Sequence, residues 1–287
     1  VSVLLHYGSG QQADGEAGVR RDVLVFDIET VVDAAAARRV LHAPSLSDAE
    51  ARDALAAYFL EKTDGRNDFP RQPFHQVVAI SYVQLVAEPG EDGVECIVRR
   101  VASGGDEKSS ERELLEGFFG LIEKRAPRLV SFNGRGFDIP VLKYRAMAHE
   151  CACPRWFGEG SRYDNYSARY STAYHVDLLE VLSDYGASAR CSLDEVAACF
   201  GVPGKLETAG GEVRALYEAG DIAAIRHYCE CDVLSTLLLF LRWQLFCGEL
   251  TRGAYLRVVE GLRNYLEEEA AARPHFRMFL EAWGQST

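Results

Sequence analysis

From Val23 to Ile28 the chain is apolar at every position except Asp27, and it then ends on the polar pair Glu29-Thr30. That is the pattern of a central strand covered on both faces. Residues 34–73 read as a helical insertion behind it: Ser47 with Glu50 makes a capping box, and Leu55, Tyr58 and Phe59 follow at helical spacing. Gly65, Pro70 and Pro73 return the chain to extended form. His75 to Glu88 and Val94 to Val101 flank the turn Pro89-Gly90-Glu91-Asp92-Gly93 and predict an antiparallel hairpin. A second capping box, Ser110 with Glu113, opens a helix with Leu114, Leu115, Phe118 and Ile122 on one face. A short strand, Arg128 to Phe132, precedes a helix from Asp138 through Ala148, and Cys151 to Tyr174 has no period. Helices are predicted around 192–199, 212–218 and 221–246. Strands early and helices late give an α/β chain whose mixed sheet is flanked by helices.

Composition narrows the class. The chain has 287 residues, 48% of them hydrophobic, and 31 Lys+Arg against 43 Asp+Glu leave a net charge of −12. Such a chain is not disordered, and at this length it buries roughly three quarters of its unfolded surface without a disulfide or metal staple. We expect a flexible Gly/Gln-rich segment over 1–20, one domain over 21–250 and a helical extension over 251–287 packed on it. The longest apolar stretch, Val233 to Phe246, is interrupted by Arg242 and Gln244, where a membrane span wants about 20 apolar residues. No membrane association is expected. No secretory signal is read in the first residues, and the Val1 start suggests a trimmed chain. Eight scattered cysteines favour reduced thiols and a cytoplasmic protein. The negative charge argues against coating duplex DNA, but not against an enzyme that meets phosphate with metal cations.

Three acidic motifs carry the candidate chemistry. Asp27 and Glu29, two apart on a strand, leave the same face, and their mutual repulsion there is offset either by solvent at an exposed strand end or by a bound cation. Asp138 closes Asn133-Gly134-Arg135-Gly136-Phe137-Asp138-Ile139-Pro140, a strand end, a Gly-rich turn and a helix start, where it could equally be a helix N-cap. In Tyr228-Cys229-Glu230-Cys231-Asp232 a spacing of four stacks Tyr228 and Asp232 on one helix face, although an amphipathic helix with one exposed acid has the same pattern. Cys229 and Cys231 point nearly opposite ways on a helix, and Cys151 with Cys153 lacks a second pair, so zinc is not expected. Four carboxylates select hard divalent cations instead, Mg²⁺ or Mn²⁺.

Taken in order, Phe26-Asp27-Ile28-Glu29-Thr30, Asn133 through Pro140, and Tyr228 with Asp232 resemble the three exonuclease motifs of the DEDD superfamily, in the form of the proofreading domains of family-B DNA polymerases and their stand-alone relatives. The resemblance runs from about Arg21 to Cys247. It implies a ribonuclease H-like fold, with a helical insertion after the first strand and a helical C-terminal region. It also implies a 3′-5′ exonuclease that releases 5′-mononucleotides from single-stranded DNA, with RNA or an inactive strand-binding subunit as alternatives, and a place in repair or end trimming. By the resemblance, two divalent cations are held by Asp27, Glu29, Asp138 and Asp232, with Asp27 bridging them, and Tyr228 orients the attacking water. Asn133 and Phe137 resemble contacts to the terminal nucleotides, and the backbone at Ile28 and Thr30 lies near the terminal sugar. The superfamily also has a His branch, whose spacing His227 fits. The five-residue separation of Asn133 and Asp138 favours the Tyr branch, leaving His227 a surface or packing residue.

Three further features stand beside these motifs. Asp177 reads as a helix cap, and Lys205 as a phosphate contact or a solvated turn lysine. Between Arg155 and His175, arginines including Arg162 and Arg169 alternate with aromatic residues. That pattern suits a single strand or a loop pinned down by its own rings.

Overall fold

The computed structural model describes residues 21–90, 93–204 and 212–285. The expectations for residues 1–20, for Glu91-Asp92 and for Lys205 lie outside the described residues. Five strands form one mixed sheet: β1 (Arg21–Val32), β2 (His75–Gly90), β3 (Gly93–Ser103), β4 (Arg128–Ser131) and β5 (His175–Asp177), in the order β3-β2-β1-β4-β5. The hairpin pairs antiparallel as its turn residues predict, and β1 pairs antiparallel with β2 but parallel with β4, which pairs parallel with β5. The helices are α1 (Ala34–Leu41), α2 (Asp48–Lys62), α3 (Glu111–Arg125), α4 (Asp138–Ala148), α5 (Pro154–Gly158), α6 (Leu178–Leu182), α7 (Leu193–Phe200), α8 (Glu212–Glu218), α9 (Ile222–Phe246), α10 (Arg252–Glu269) and α11 (Pro274–Gln285). This is the ribonuclease H-like arrangement of a mixed central sheet flanked by helices.

The alternation along β1 assigns the two faces. Val23 and Val25 pack with Val83, Val101 and Val130 against α9 and the C-terminal helices, whereas Leu24, Phe26 and Ile28 pack against α3 and α4. The odd-numbered row therefore continues into Asp27 and Glu29 on the α9 side. From Tyr228 to Leu241 every residue of α9 is buried, the condition of a helix covered all round. Leu262 and Leu266 of α10 with Phe276 and Phe279 of α11 complete that layer, so the C-terminal helices share the main core.

Both predicted capping boxes form, at Ser47/Glu50 and Ser110/Glu113, and a third forms at Ser192/Glu195 ahead of α7. α1 and α2 make the insertion, with its own small core of Ala37, Ala51, Leu55 and Phe59. Its entry is fixed by Asp33, which caps α1 and pairs with the buried Arg145 at 2.7 Å; Arg145 also forks onto Glu111 of α3. Breaking a buried, fully bonded ion pair of this kind costs about 3–5 kcal/mol, because the abandoned carboxylates have no water to turn to. Two expectations need correction. β4 stops at Ser131 rather than Phe132, and the segment from Cys151 to Tyr174 contains the single-turn α5, with β5 following directly after it. Three-residue strands escape pattern reading because they hold too few positions to show alternation.

Candidate active site

The site begins where β4 gives out. β4 accompanies β1 only at Val23, Leu24 and Val25, and a register shift follows in the β1–β2 pairing between Glu29 and Thr30. Beyond Val25 β1 stays paired with β2, but its other edge faces the β4–α4 turn instead of a strand. There the Ile28 N–H donates to Asp138 Oδ1 at 3.2 Å. Asp138 is thus not the helix N-cap that its position allowed, since Phe137 occupies the cap position. A backbone donor released by the sheet is satisfied by the carboxylate of the second motif, which brings the two motifs together.

The turn that aims Asp138 is built on close approaches. Asn133 adopts φ +65°, a conformation Asn tolerates better than most residues. A Cβ at Gly134 would lie 2.3 Å from Ser131 Oγ, and one at Gly136 2.5 Å from Asn133 Oδ1. The turn is held from below by Asp177, whose carboxylate accepts from the N–H groups of Asn133 (2.9 Å) and Arg135 (2.8 Å) and also caps α6 through Leu179 (3.1 Å) and Glu180 (3.4 Å). Capping, the reading of Asp177 from sequence, is half of what the residue does.

The third segment arrives on α9. Tyr228 and Asp232, one turn apart, line the same cleft of about 370 Å³ as Asp27, Ile28 and Glu29 of β1 and Asn133, Phe137 and Asp138 of the turn. Asp232 is 6% exposed and Asp138 4%, which removes the reading of a solvated helix acid. Burial raises the Asp138 carboxyl above the ordinary carboxylate range, against hydrogen bonds from the backbone and from the Asp27 carboxyl. Two carboxyls bond to each other only by holding a proton between them, so the pair titrates together. Burial, then the charges of Asp232, Glu29 and Asp27, drive the Tyr228 phenol far above its usual value. It is a protonated hydrogen-bond donor at any physiological pH.

The donor set fits a hard divalent cation. One ligand atom each from Asp27, Glu29 and Cys229 lie within 4.8 Å of one another. Burial pushes the Cys229 thiol well above its ordinary value, so it is neutral, and it donates to the Asp27 carbonyl at 3.5 Å. Oxygen donors therefore dominate, and Asp27 and Glu29, with Asp138 and Asp232 in the same cleft, are the residues that would hold the cation. Cys231, on the opposite side of α9, belongs to the main core.

Three residues named from sequence stand apart from the cleft lining. The Thr30 hydroxyl is engaged with His75 Nδ1 at 3.0 Å. Arg169 is paired with Glu180 at 2.7 Å, and Arg162 lies over the Tyr163 ring. The Arg/aromatic segment is anchored by its own rings: Trp156 stacks on Tyr166, whose hydroxyl donates to the Pro127 carbonyl at 2.7 Å. His227 is exposed and stacks on His275 at 4.1 Å. The cleft also takes in Cys191, Ser192 and Asp194 at the start of α7, which sequence reading did not assign. The Ser192 capping box signals where that helix starts but not what its first turn faces.

A sheet of this topology with four carboxylates and a tyrosine gathered at the end of its central strand defines a nuclease domain of the ribonuclease H-like class. The chain belongs to the family of predicted 3′-5′ exonucleases related to the exonuclease domain of PolB, whose model matches residues 67–283. The match contains Asn133, Phe137, Asp138, Tyr228 and Asp232. Asp27 and Glu29 precede it and join the site through the fold. No curated protein matches the chain.

Proposed function

We propose that the protein is a metal-dependent 3′-5′ exonuclease that acts on single-stranded DNA and releases 5′-mononucleotides. The observation that carries this reading is the meeting of Asp27 and Glu29, Asp138, and Tyr228 and Asp232 in one cleft from three remote segments. Asp27, Glu29, Asp138 and Asp232 would hold Mg²⁺ or Mn²⁺, which when bound would supply Lewis-acid polarisation of the phosphodiester and of the attacking water. The chain contributes position. The Ile28 N–H fixes the carboxylate of Asp138 beside Asp27, and Tyr228, protonated, donates a hydrogen bond that orients water without acting as a base. Asn133 and Phe137 on the cleft wall suit the last nucleotides, Phe137 as a surface for a base.

We place it in a reducing compartment such as the cytoplasm. All eight cysteines are free thiols, and no helix among the described residues is long and apolar enough to cross a membrane. Arg162, unlike Arg169, has no carboxylate in ion-pairing range among the described residues, which makes it the better candidate of the two for a strand contact. The test is digestion of 5′-labelled single-stranded DNA, duplex DNA and RNA with Mg²⁺ or Mn²⁺, for wild type and the Asp27→Ala, Asp138→Ala and Asp232→Ala variants. We expect a ladder shortening from the 3′ end on single-stranded DNA, lost in all three folded variants, and a metal-dependent rise in the wild-type melting temperature. Faster loss of RNA would reassign the substrate. Digestion by the Asp27 variant, or no thermal response to either metal, would sink the metal-dependent reading.

A further inference from the structure

At the lip of the acidic cleft the chain holds a large aromatic ring in solvent. Phe69 is 55% exposed, yet it is not on a loose tip. Its N–H donates to Asn67 Oδ1 at 2.9 Å, and Asn67 is tied to the Thr63 hydroxyl through its N–H (2.9 Å) and its carbonyl (2.7 Å). Downstream, the Gln72 side chain donates to the Gly136 carbonyl at 3.1 Å, joining this segment to the turn that carries Asp138.

The ring has two aromatic neighbours, His75 at 4.9 Å and Phe137 at 5.8 Å, and these lie 5.0 Å from each other edge to face. His75 is buried, and burial keeps it neutral. Its Nε2 faces the Pro70 carbonyl at 2.9 Å, which can only accept, so the proton sits on Nε2 and Nδ1 accepts from the Thr30 hydroxyl. The cluster is thereby fastened to the residue after Glu29, and its own member Phe137 is the residue before Asp138. Phe137 lines the cleft, and Phe69 continues its aromatic wall outward.

Charge gives this wall a purpose. A chain of net −12 with a cleft of carboxylates repels a polyanion at long range. Attraction must then come from bound cations and from contacts that do not depend on charge, of which base–aromatic stacking tolerates any sequence. We infer that Phe69, backed by His75 and Phe137, is a stacking platform for one nucleobase of the single strand entering the cleft, an inference that rests on the nuclease reading above. Because the ring is already held, stacking orders little protein on binding.

The experiment uses the full chain, with Phe69→Ala and Phe69→Trp, and single-stranded oligonucleotides carrying one abasic position at each of the last four nucleotides in turn. Turnover is read with Mn²⁺, and equilibrium binding by anisotropy with Ca²⁺. Phe69→Ala should raise KM and Kd about 5- to 150-fold, with kcat changed less than about twofold, and Phe69→Trp should restore both. One abasic substrate should show the same loss on wild type and lose nothing further on Phe69→Ala. Unchanged affinity in Phe69→Ala, or an equal further loss on every abasic substrate, overturns the platform. A chain that binds in a Phe69-dependent way but does not cut overturns the nuclease reading and leaves the platform standing. A chain that cuts with Phe69-independent affinity does the reverse, and one that neither binds nor cuts overturns both.

Discussion

Asp177 is the residue on which the geometry of the second motif should depend most, although it does not line the cleft. One of its carboxylate oxygens accepts from Asn133, Leu179 and Glu180, and the other from Arg135. Asp177→Ala removes an N-cap, worth about 1 kcal/mol, and abandons the two turn N–H groups at about 1–3 kcal/mol each. Those turn donors are partly buried, so water recovers some of the loss, and the low end applies: about 3–4 kcal/mol in all. Asp177→Asn discriminates further. With its oxygen toward Asn133 and α6 the amide keeps three of the four bonds, but it turns an NH₂ group toward the Arg135 N–H, which should cost about 1–2 kcal/mol. Urea unfolding at neutral pH, followed by circular dichroism, measures both. The expected order is wild type, then Asn, then Ala, with an unchanged m-value and falling kcat/KM as the Asn133–Asp138 turn loosens. An Ala variant within about 0.5 kcal/mol of wild type, or an Asn variant less stable than Ala, would refute the reasoning.

Tyr228→Phe should lower single-turnover rates by roughly ten- to a thousandfold through loss of a water-positioning hydrogen bond, within or below the range for a catalytic proton-transfer group, while His227→Ala, whose ring lies against His275 on another side of α9, should change them little. The opposite ranking would mean that His227, not Tyr228, serves the site. Stability should also respond to acid through Glu230. Burial alone would raise this carboxyl, but the His275 hydrogen bond, the Arg273 charge and the Ser103 hydroxyl pull it down to about 2 from an ordinary 4.5. The folded state then holds its proton less tightly than the unfolded state. Its contribution, about 3 kcal/mol by linkage, is complete above pH 4.5 and is lost as the pH falls toward 2. Glu230→Gln should flatten the pH dependence of unfolding in that window, and identical slopes for the two proteins would count against it.

Much of this protein can be read from the chain because the information is local. Capping boxes need residues only three apart, so Ser47 and Ser110 marked their helices, and the two-residue spacing of Asp27 and Glu29 on a strand already put them on one face. The turn glycines and the Tyr228–Asp232 spacing gave the other two motifs in outline. Tertiary structure decided the rest. α9 is buried all round, and no periodicity could say which of its sides meets β1 and which meets the C-terminal helices. Asp138 could equally be a cap or a site carboxylate until the released Ile28 N–H is seen to claim its carboxylate. Arg169 looks available for phosphate until Glu180 is found beside it, and Phe69 looks like any loop aromatic until His75 and Phe137 close behind it. The physical reason is common to all four. Period, capping and turn chemistry are set by neighbours along the chain, whereas burial, charge pairing and the partner of a hydrogen bond are set by residues that only the fold brings into contact.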